Sequence, residues 1–199
     1  MNATPLLEGY GVRLEPLSLA HVPALTRIAL EPSSWLHMTV RLHSEADVQE
    51  WVETSLRTAD TGAIEPWVTF VGSEAAGGTW FLDIQRPHRA VELGFTWLAA
   101  PWRGAGVNPR VKLLQMTYGF EMLGLKRIGF KTHHENLRSQ AAMLKMGAQY
   151  EGTLRNHMVM PDGSSRHSKY YSVLDTEWPV VKARLLERIA TEPLQKPQA

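Results

Sequence analysis

The chain has no cysteine among its 199 residues. That excludes a disulfide framework, a thiolate metal site and a cysteine nucleophile. It has no surplus of charge either: 21 basic residues face 20 acidic ones, a formal net of +1. Such a balance gives no ground for bulk electrostatic capture of nucleic acid. No apolar run approaches the length that spans a bilayer, and Met1 to Leu7 lacks the basic stretch and apolar core of a secretion signal. The expectation is a cytoplasmic protein without a membrane or nucleic-acid partner. A Gly-x-Ser-x-Gly elbow is missing, which speaks against a serine hydrolase. No His-x-x-x-His pair falls on an expected helix, so no metal site is expected.

What is present is ordinary globular composition, 44% hydrophobic and 21% charged. A chain of this length buries most of its apolar surface within one domain. That domain is read as running over 1–199, with a frayed tail from Glu192. Seven tryptophans are many for the length. Most are read as core or rim residues, and some as lining a groove.

Val12 to Leu17 alternates apolar and polar residues, as a half-buried strand does. Ser18 caps a helix through Leu25 and Ile28. Ser44 caps a second, with Val48, Val52 and Leu56 on one side and Glu45 and Asp47 in its first turn. Trp67–Gly72, Thr79–Gln85 and Val91–Leu98 then read as strands, and their short connections suggest an antiparallel meander. Asn108-Pro109 reads as a cap and first helical residue, opening a broadly buried helix that Gly124 ends. Arg127–Thr132 is a strand and Asn136–Met146 a helix stopped by Gly147. Ala148–Leu154 and His167–Leu174 are strands joined around the turn Met160-Pro161-Asp162-Gly163. Asp175 caps a final helix with Trp178, Val181, Leu185 and Ile189 inward. His133 and His134, adjacent on one strand, are expected on opposite faces. The sum is a mixed α/β domain.

Arg103-Gly104-Ala105-Gly106-Val107-Asn108 lies between a strand and the buried helix. Glycines let backbone amides approach an anion, and a helix start adds partial positive charge, so a pyrophosphate is a natural guest. The loop is no P-loop, because no Gly-Lys-Ser/Thr follows, and it lacks the third glycine of a dinucleotide fingerprint. Taken alone, a plain connector fits as well. The wider order is a strand, this loop, a buried helix, a strand, then a helix opening with Asn136-x-x-Ser139 before Lys145-x-Gly147. That order resembles the GNAT acyltransferases over roughly residues 8 to 178. Arg103, Gly106 and Asn108 stand at the fixed positions of that family's pyrophosphate loop. Asn108 departs from the pattern, and Pro109 takes one amide from the cradle. Val91–Phe95, Asn136–Ser139 and Glu151–Arg155 further resemble the ribosomal-protein alanine acetyltransferases.

The resemblance implies a GNAT fold, with a mostly antiparallel twisted sheet splayed in the middle and flanked by helices. It implies acetyl-CoA as cosubstrate and no metal. The backbone of Thr96, Trp97 and Leu98 would hold the pantetheine arm, and an amide there would stabilise the developing oxyanion. Arg103, Gly104, Ala105, Gly106, Val107 and Asn108 would hold the pyrophosphate. Asn136, Ser139 and Met143 share a helical face that would meet the cofactor, although Asn136 also reads as a helix cap. Many members carry a tyrosine acid where this chain has Met143, and Ser139 is the substitute.

The attacking amine must be neutral, yet amines with pKa values from about 7.7 to about 10.4 are largely protonated at neutral pH. A carboxylate is the usual remedy. Glu92, eleven residues before Arg103, matches the spacing at which several GNAT members carry a catalytic glutamate, so the resemblance implies it as the base; a solvated strand residue or salt-bridge partner is the other reading. The alanine acetyltransferases place their base where Met158 stands, which leaves His157 and Glu151 as neighbours that could serve. The acceptor is a primary amine, on a protein N-terminus or on a small molecule such as a polyamine or antibiotic. A CoA-binding protein without catalysis is the rival. Pro32–Arg41 and the 154–167 hairpin are expected to form the acceptor groove, with Trp35, His37, Arg41 and Arg155 as candidates. Family members often pair, which leaves a homodimer open.

Overall fold

The computed structural model describes residues 4–195, and its eight strands form one sheet. They are β1 (Leu7–Gly9), β2 (Val12–Pro16), β3 (Glu65–Val71), β4 (Glu74–Gln85), β5 (Ala90–Leu98), β6 (Arg127–His133), β7 (Gln149–Val159) and β8 (Ser165–Leu174). The helices are α1 (Val22–Ala29), α2 (Glu45–Asp60), α3 (Val107–Thr117), α4 (Leu137–Met146) and α5 (Trp178–Thr191). Strand order is β1-β2-β3-β4-β5-β6-β8-β7. The meander of β3, β4 and β5 is antiparallel, and β5 with β6 is the parallel pair. No described helix is long and apolar enough to cross a membrane.

The sheet parts between β5 and β6. They pair only over Ala90–Glu92 and Arg127–Gly129, then run on without each other. The cause is local to β5. Phe95 takes a left-handed backbone (φ 48°), and the register with β4 shifts between Gly78 and Trp80. Such a bulge adds twist and re-aims the strand. Past it, β5 follows β4 closely: a Cβ on Gly77 would lie 2.0 Å from the Trp97 carbonyl oxygen. Glycine there permits the approach that draws β5 away from β6.

Two cores flank the sheet. On one face α3 and α5 cover Leu14, Leu93, Ile128 and Val173. On the other, α1 and α2 cover an aromatic cluster in which Trp80 stacks on Phe95 at 4.3 Å and Trp35 packs on Trp97 at 4.9 Å. Six tryptophans are buried and Trp51 is half-buried, so the core reading of these residues stands.

Several boundaries differ from expectation. The strand β1 and its hairpin turn at Tyr10-Gly11 (φ 56° and 80°) were not anticipated. The run is too short for alternation to show. Ser18 opens a 3₁₀ turn, Leu19–His21, that leads into α1. The cap of α3 is Gly106 (φ 76°), so Asn108 and Pro109 lie inside the first turn. Proline is accepted there because its missing N–H has no intrahelical partner to lose. A single π-type turn, Tyr118–Met122, extends α3 before Gly124 ends it. Glu177 caps α5, while Asp175 pairs with Lys126 at 2.5 Å. The tail is held through Gln195 rather than frayed from Glu192. Gln195 N–H donates to the Ala105 carbonyl at 3.1 Å and Leu194 packs on the core. Residues 196–199 lie outside the described residues.

Candidate active site

Where β5 and β6 part, a cavity of about 490 Å³ opens. Glu92 to Leu98 form one wall and Phe130 to Thr132 the other, with Asn136, Ser139 and Met143 of α4 above. The glycine loop closes one end. A volume in this range suits a small-molecule or cofactor site. Beyond Glu92 no strand among the described residues pairs with the β6-facing edge of β5, so Thr96, Trp97 and Leu98 border an unpaired strand edge.

At the loop end, Gly104, Gly106, Val107, Asn108 and Pro109 line the cavity. Among the described residues no side chain caps α3, so the amides of Val107 and Asn108 have no capping partner there. This gives two donors at the positive end of a helix. Two residues assigned to the pyrophosphate do otherwise. Ala105 is buried in the core beneath the loop. Arg103 reaches the cavity rim, but its guanidinium donates to the Leu98 carbonyl at 2.8 Å and to Ser33 and Ser34 Oγ at 2.7 Å each. It acts as a strut between the loop and the segment before α2, and burial lowers its pKa.

At the opposite end stands Glu92, with only 9% of its surface exposed. Oε2 lies 3.0 Å from Lys131 Nζ, and Oε1 is buried with no hydrogen-bond partner among the described residues. Burial raises its pKa, against a smaller downward pull from Lys131. A buried carboxylate with one unsatisfied oxygen on a cavity wall has the chemistry to accept a proton. It is therefore not a solvated strand residue, although the salt bridge in the other reading is real and goes to a lysine.

The neighbouring candidates are occupied. Glu151 pairs with Arg127 at 2.6 Å and accepts from Ser172 Oγ. Both ring nitrogens of His157 are engaged, with Ser168 Oγ at 3.0 Å and Tyr170 Oη at 3.1 Å. Neither residue lines the cavity, whereas Met158 does. Asn136 serves as cap, its Oδ1 accepting from Ser139 N–H at 3.1 Å. Its side-chain NH₂ has no protein acceptor among the described residues.

The expected acceptor groove is only partly realised. His37 lines the cavity with Met38, Thr39 and Arg166. Trp35 is buried, with Nε1 donating to the Ala29 carbonyl at 2.6 Å. Arg41 folds back on its own segment, donating to the carbonyls of Met38 at 2.7 Å and Val40 at 2.9 Å. Arg155 is exposed and does not line the cavity. Opposite faces for His133 and His134 is corrected: their rings stack at 4.5 Å, because β6 ends at His133 and alternation lapses there. With Glu135 they bring three ligand-type atoms within 4.8 Å, but His133 Nδ1 already accepts the Glu135 amide at 3.1 Å.

One cavity residue went unrecognised in the sequence. Lys112 lies on α3, which is buried nearly all round, as the broadly buried helix expected there is. Its Nζ donates to Thr96 Oγ1 at 2.7 Å, and burial lowers its pKa to about 7. Thr79 Oγ1 donates to Gln115 Oε1 at 2.8 Å, so the 2.8 Å contact between the two threonines has Thr96 as donor. Lys112 thus heads a one-way chain through Thr96 and Thr79 to Gln115.

Residues 12–149 match the model of the acetyltransferase (GNAT) domain family. The uncharacterized N-acetyltransferase YoaA of Bacillus subtilis is 35% identical over 101 residues, 51% of this chain and 56% of that protein. The chain thus spans about half the length of the curated relatives it matches. A T. thermophilus structure, provisionally assigned as an acetyltransferase, shares 37% identity at a TM-score of 0.86, covering 94% of this chain and 99% of its own. Mycobacterium smegmatis RimJ in complex with CoA-disulfide shares the fold, at 23% identity and a TM-score of 0.78 over 94% of this chain and 93% of its own. The matched stretch takes in the split sheet, the glycine loop and the Asn136 helix, and the chain belongs to the GNAT acetyltransferase family.

Proposed function

We propose that the chain transfers an acetyl group from acetyl-CoA to a primary amine. One observation carries the reading: a single cavity joins an anion cradle at a helix start, an unpaired strand edge and a buried carboxylate. An extended thioester bearing phosphates fits that sequence of features. The amides of Val107 and Asn108 bind phosphate, and the edge at Thr96, Trp97 and Leu98 takes the pantetheine amides as an added strand. Acetyl-CoA supplies the activated acyl group.

Glu92 accepts a proton from the incoming ammonium, directly or through one water. Its raised pKa brings it nearer the operating pH than an ordinary glutamate. The freed nitrogen attacks the thioester carbon, a C–N bond forms, and the C–S bond breaks. Ser139, on the cavity wall, donates toward the departing sulfur and is reprotonated by the second proton that the nitrogen sheds as the amide forms, a relay for which Met143 has no proton.

The acceptor read here is a protein N-terminus, in line with the resemblance to the ribosomal-protein acetyltransferases. The test is thiol release from acetyl-CoA with short peptides of varied N-terminus, polyamines and aminoglycosides. Peptides should release thiol and gain an acetyl group at their α-amine. Release with small amines alone reassigns the acceptor. Acetyl-CoA binding without release for any amine makes the chain a binding protein.

A further inference from the structure

The phosphate end of the cavity is short of free positive charge from its own loop. Arg103 is spent on Leu98, Ser33 and Ser34. Arg110, one turn into α3, is spent on the carbonyls of Tyr10, Gly106, Ile189 and Glu192. Pro109 has no amide to give. The last turn of α5 carries what the loop does not. Arg188 lines the same cavity, and so does Glu192.

The two are paired, with Arg188 Nη2 lying 3.0 Å from Glu192 Oε2. Lys145 Nζ holds the other carboxylate oxygen at 2.7 Å. These bonds, Arg188 first, pull the Glu192 pKa down to about 2. The cluster sits beside the glycine loop: a Cβ on Gly106 would lie 3.3 Å from the Glu192 carbonyl oxygen. A carboxylate bridged by two cations next to a helix N-terminus has the partners a phosphate would want.

We propose that Arg188, with Lys145 beside it, binds a phosphate group of acetyl-CoA, and that Glu192 occupies these cations in the free protein and gives them up to the phosphate. The inference rests on the acetyl-CoA reading above. Exchange favours the phosphate on two counts. It brings more acceptor oxygens and more charge. Glu192 also stands at the C-terminal end of α5, where a negative side chain meets the negative end of the helix. Pro193 follows at once, so the helix ends there and Glu192 is its C-cap.

The experiment is calorimetric titration of the full chain with acetyl-CoA and with its analogue lacking the 3′-phosphate. Arg188→Gln should weaken acetyl-CoA about tenfold, the worth of one charge-assisted hydrogen bond. Glu192→Gln should tighten it several-fold, because the internal competitor is gone. The double variant should bind between the two single variants, because Glu192→Gln still frees Lys145. If the arginine effect persists with the analogue, the pyrophosphate is the partner; if it vanishes, the 3′-phosphate is. A purely structural ion pair lowers the melting midpoint in both single variants and moves affinity the same way in both. That result, or unchanged affinity in Arg188→Gln, overturns the inference while leaving the cofactor reading intact. A wild-type chain that binds no acetyl-CoA overturns both.

Discussion

Glutamine at position 92 lowers turnover about 100-fold and leaves the affinity for acetyl-CoA unchanged. The size follows from what a positioned general base contributes, roughly 10²- to 10⁴-fold. The selectivity follows from where Glu92 stands, on the cavity wall and away from the glycine loop. Glutamine keeps the shape and one carbonyl oxygen to accept from Lys131, so the fold at the β5–β6 fork is retained. The pH profile gives a sharper signature. Burial holds the Glu92 carboxyl above its ordinary range, and only the carboxylate accepts a proton. Wild-type kcat/KM should therefore fall as pH drops through that raised pKa. In Glu92→Gln this acid limb disappears, and what remains tracks the ionisation of the amine. A variant with wild-type turnover and an unchanged acid limb would remove Glu92 from the chemistry.

Lys112→Met stabilises the protein at neutral pH and removes part of its gain in stability at alkaline pH. Lys112 is buried among the core residues of α3 and loses its proton near pH 7 in the fold. In the unfolded chain it keeps that proton to about pH 10.4. Between those values the unfolded state binds more protons, so the lysine makes stability rise with pH. Below about pH 7 both states are protonated and the burial cost is present in full. A depression of this size corresponds to several kcal/mol, roughly 1.4 kcal/mol for each tenfold change in proton affinity. Methionine matches the length of the stem and carries no charge. It forfeits the hydrogen bond to Thr96, worth about 1 kcal/mol, which leaves a net gain. The check is chemical denaturation of both proteins from pH 6 to about pH 10. The wild type should gain on the variant steadily across that window. Parallel curves would mean that Lys112 keeps its proton in the fold.

How much of this could be seen in the sequence depends on the range over which each feature is decided. The meander, the α2 cap at Ser44 and the glycine stops after α3 and α4 rest on neighbours a few residues apart. Each stands as expected, and the structure adds a capping pair of Ser44 with Asp47. The fate of Arg103 was out of reach, because its partners Ser33 and Ser34 lie about seventy residues earlier. The role of the α5 terminus was hidden likewise: Glu192 meets Lys145 and Arg110 only once α5 has packed against α3. Lys112 and Gln115 share a helical face at i and i+3, a spacing that fits a solvated face as well as a buried polar one. Only the surrounding sheet decides between them. The family resemblance points to Glu92 through its spacing to Arg103, but its unpartnered oxygen is a property of packing.

The proposed binding of acetyl-CoA in the forked cavity depends on its glycine loop. Gly106 is a poor place to test it, since a Cβ there would lie 2.7 Å from Arg110 Nη1 and any variant would report on the fold. Gly104 is better. It has a left-handed backbone (φ 78°) and open space around it, and asparagine tolerates that conformation about as well as aspartate does. The measurement is the thermal midpoint of the wild type, Gly104→Asn and Gly104→Asp with and without millimolar acetyl-CoA. A ligand at ~100 times its dissociation constant stabilises by about 2.7 kcal/mol. The wild type and Gly104→Asn should shift upward, while Gly104→Asp, with a negative charge beside the phosphates, should lose most of the shift. A wild-type midpoint that acetyl-CoA does not move would contradict the account.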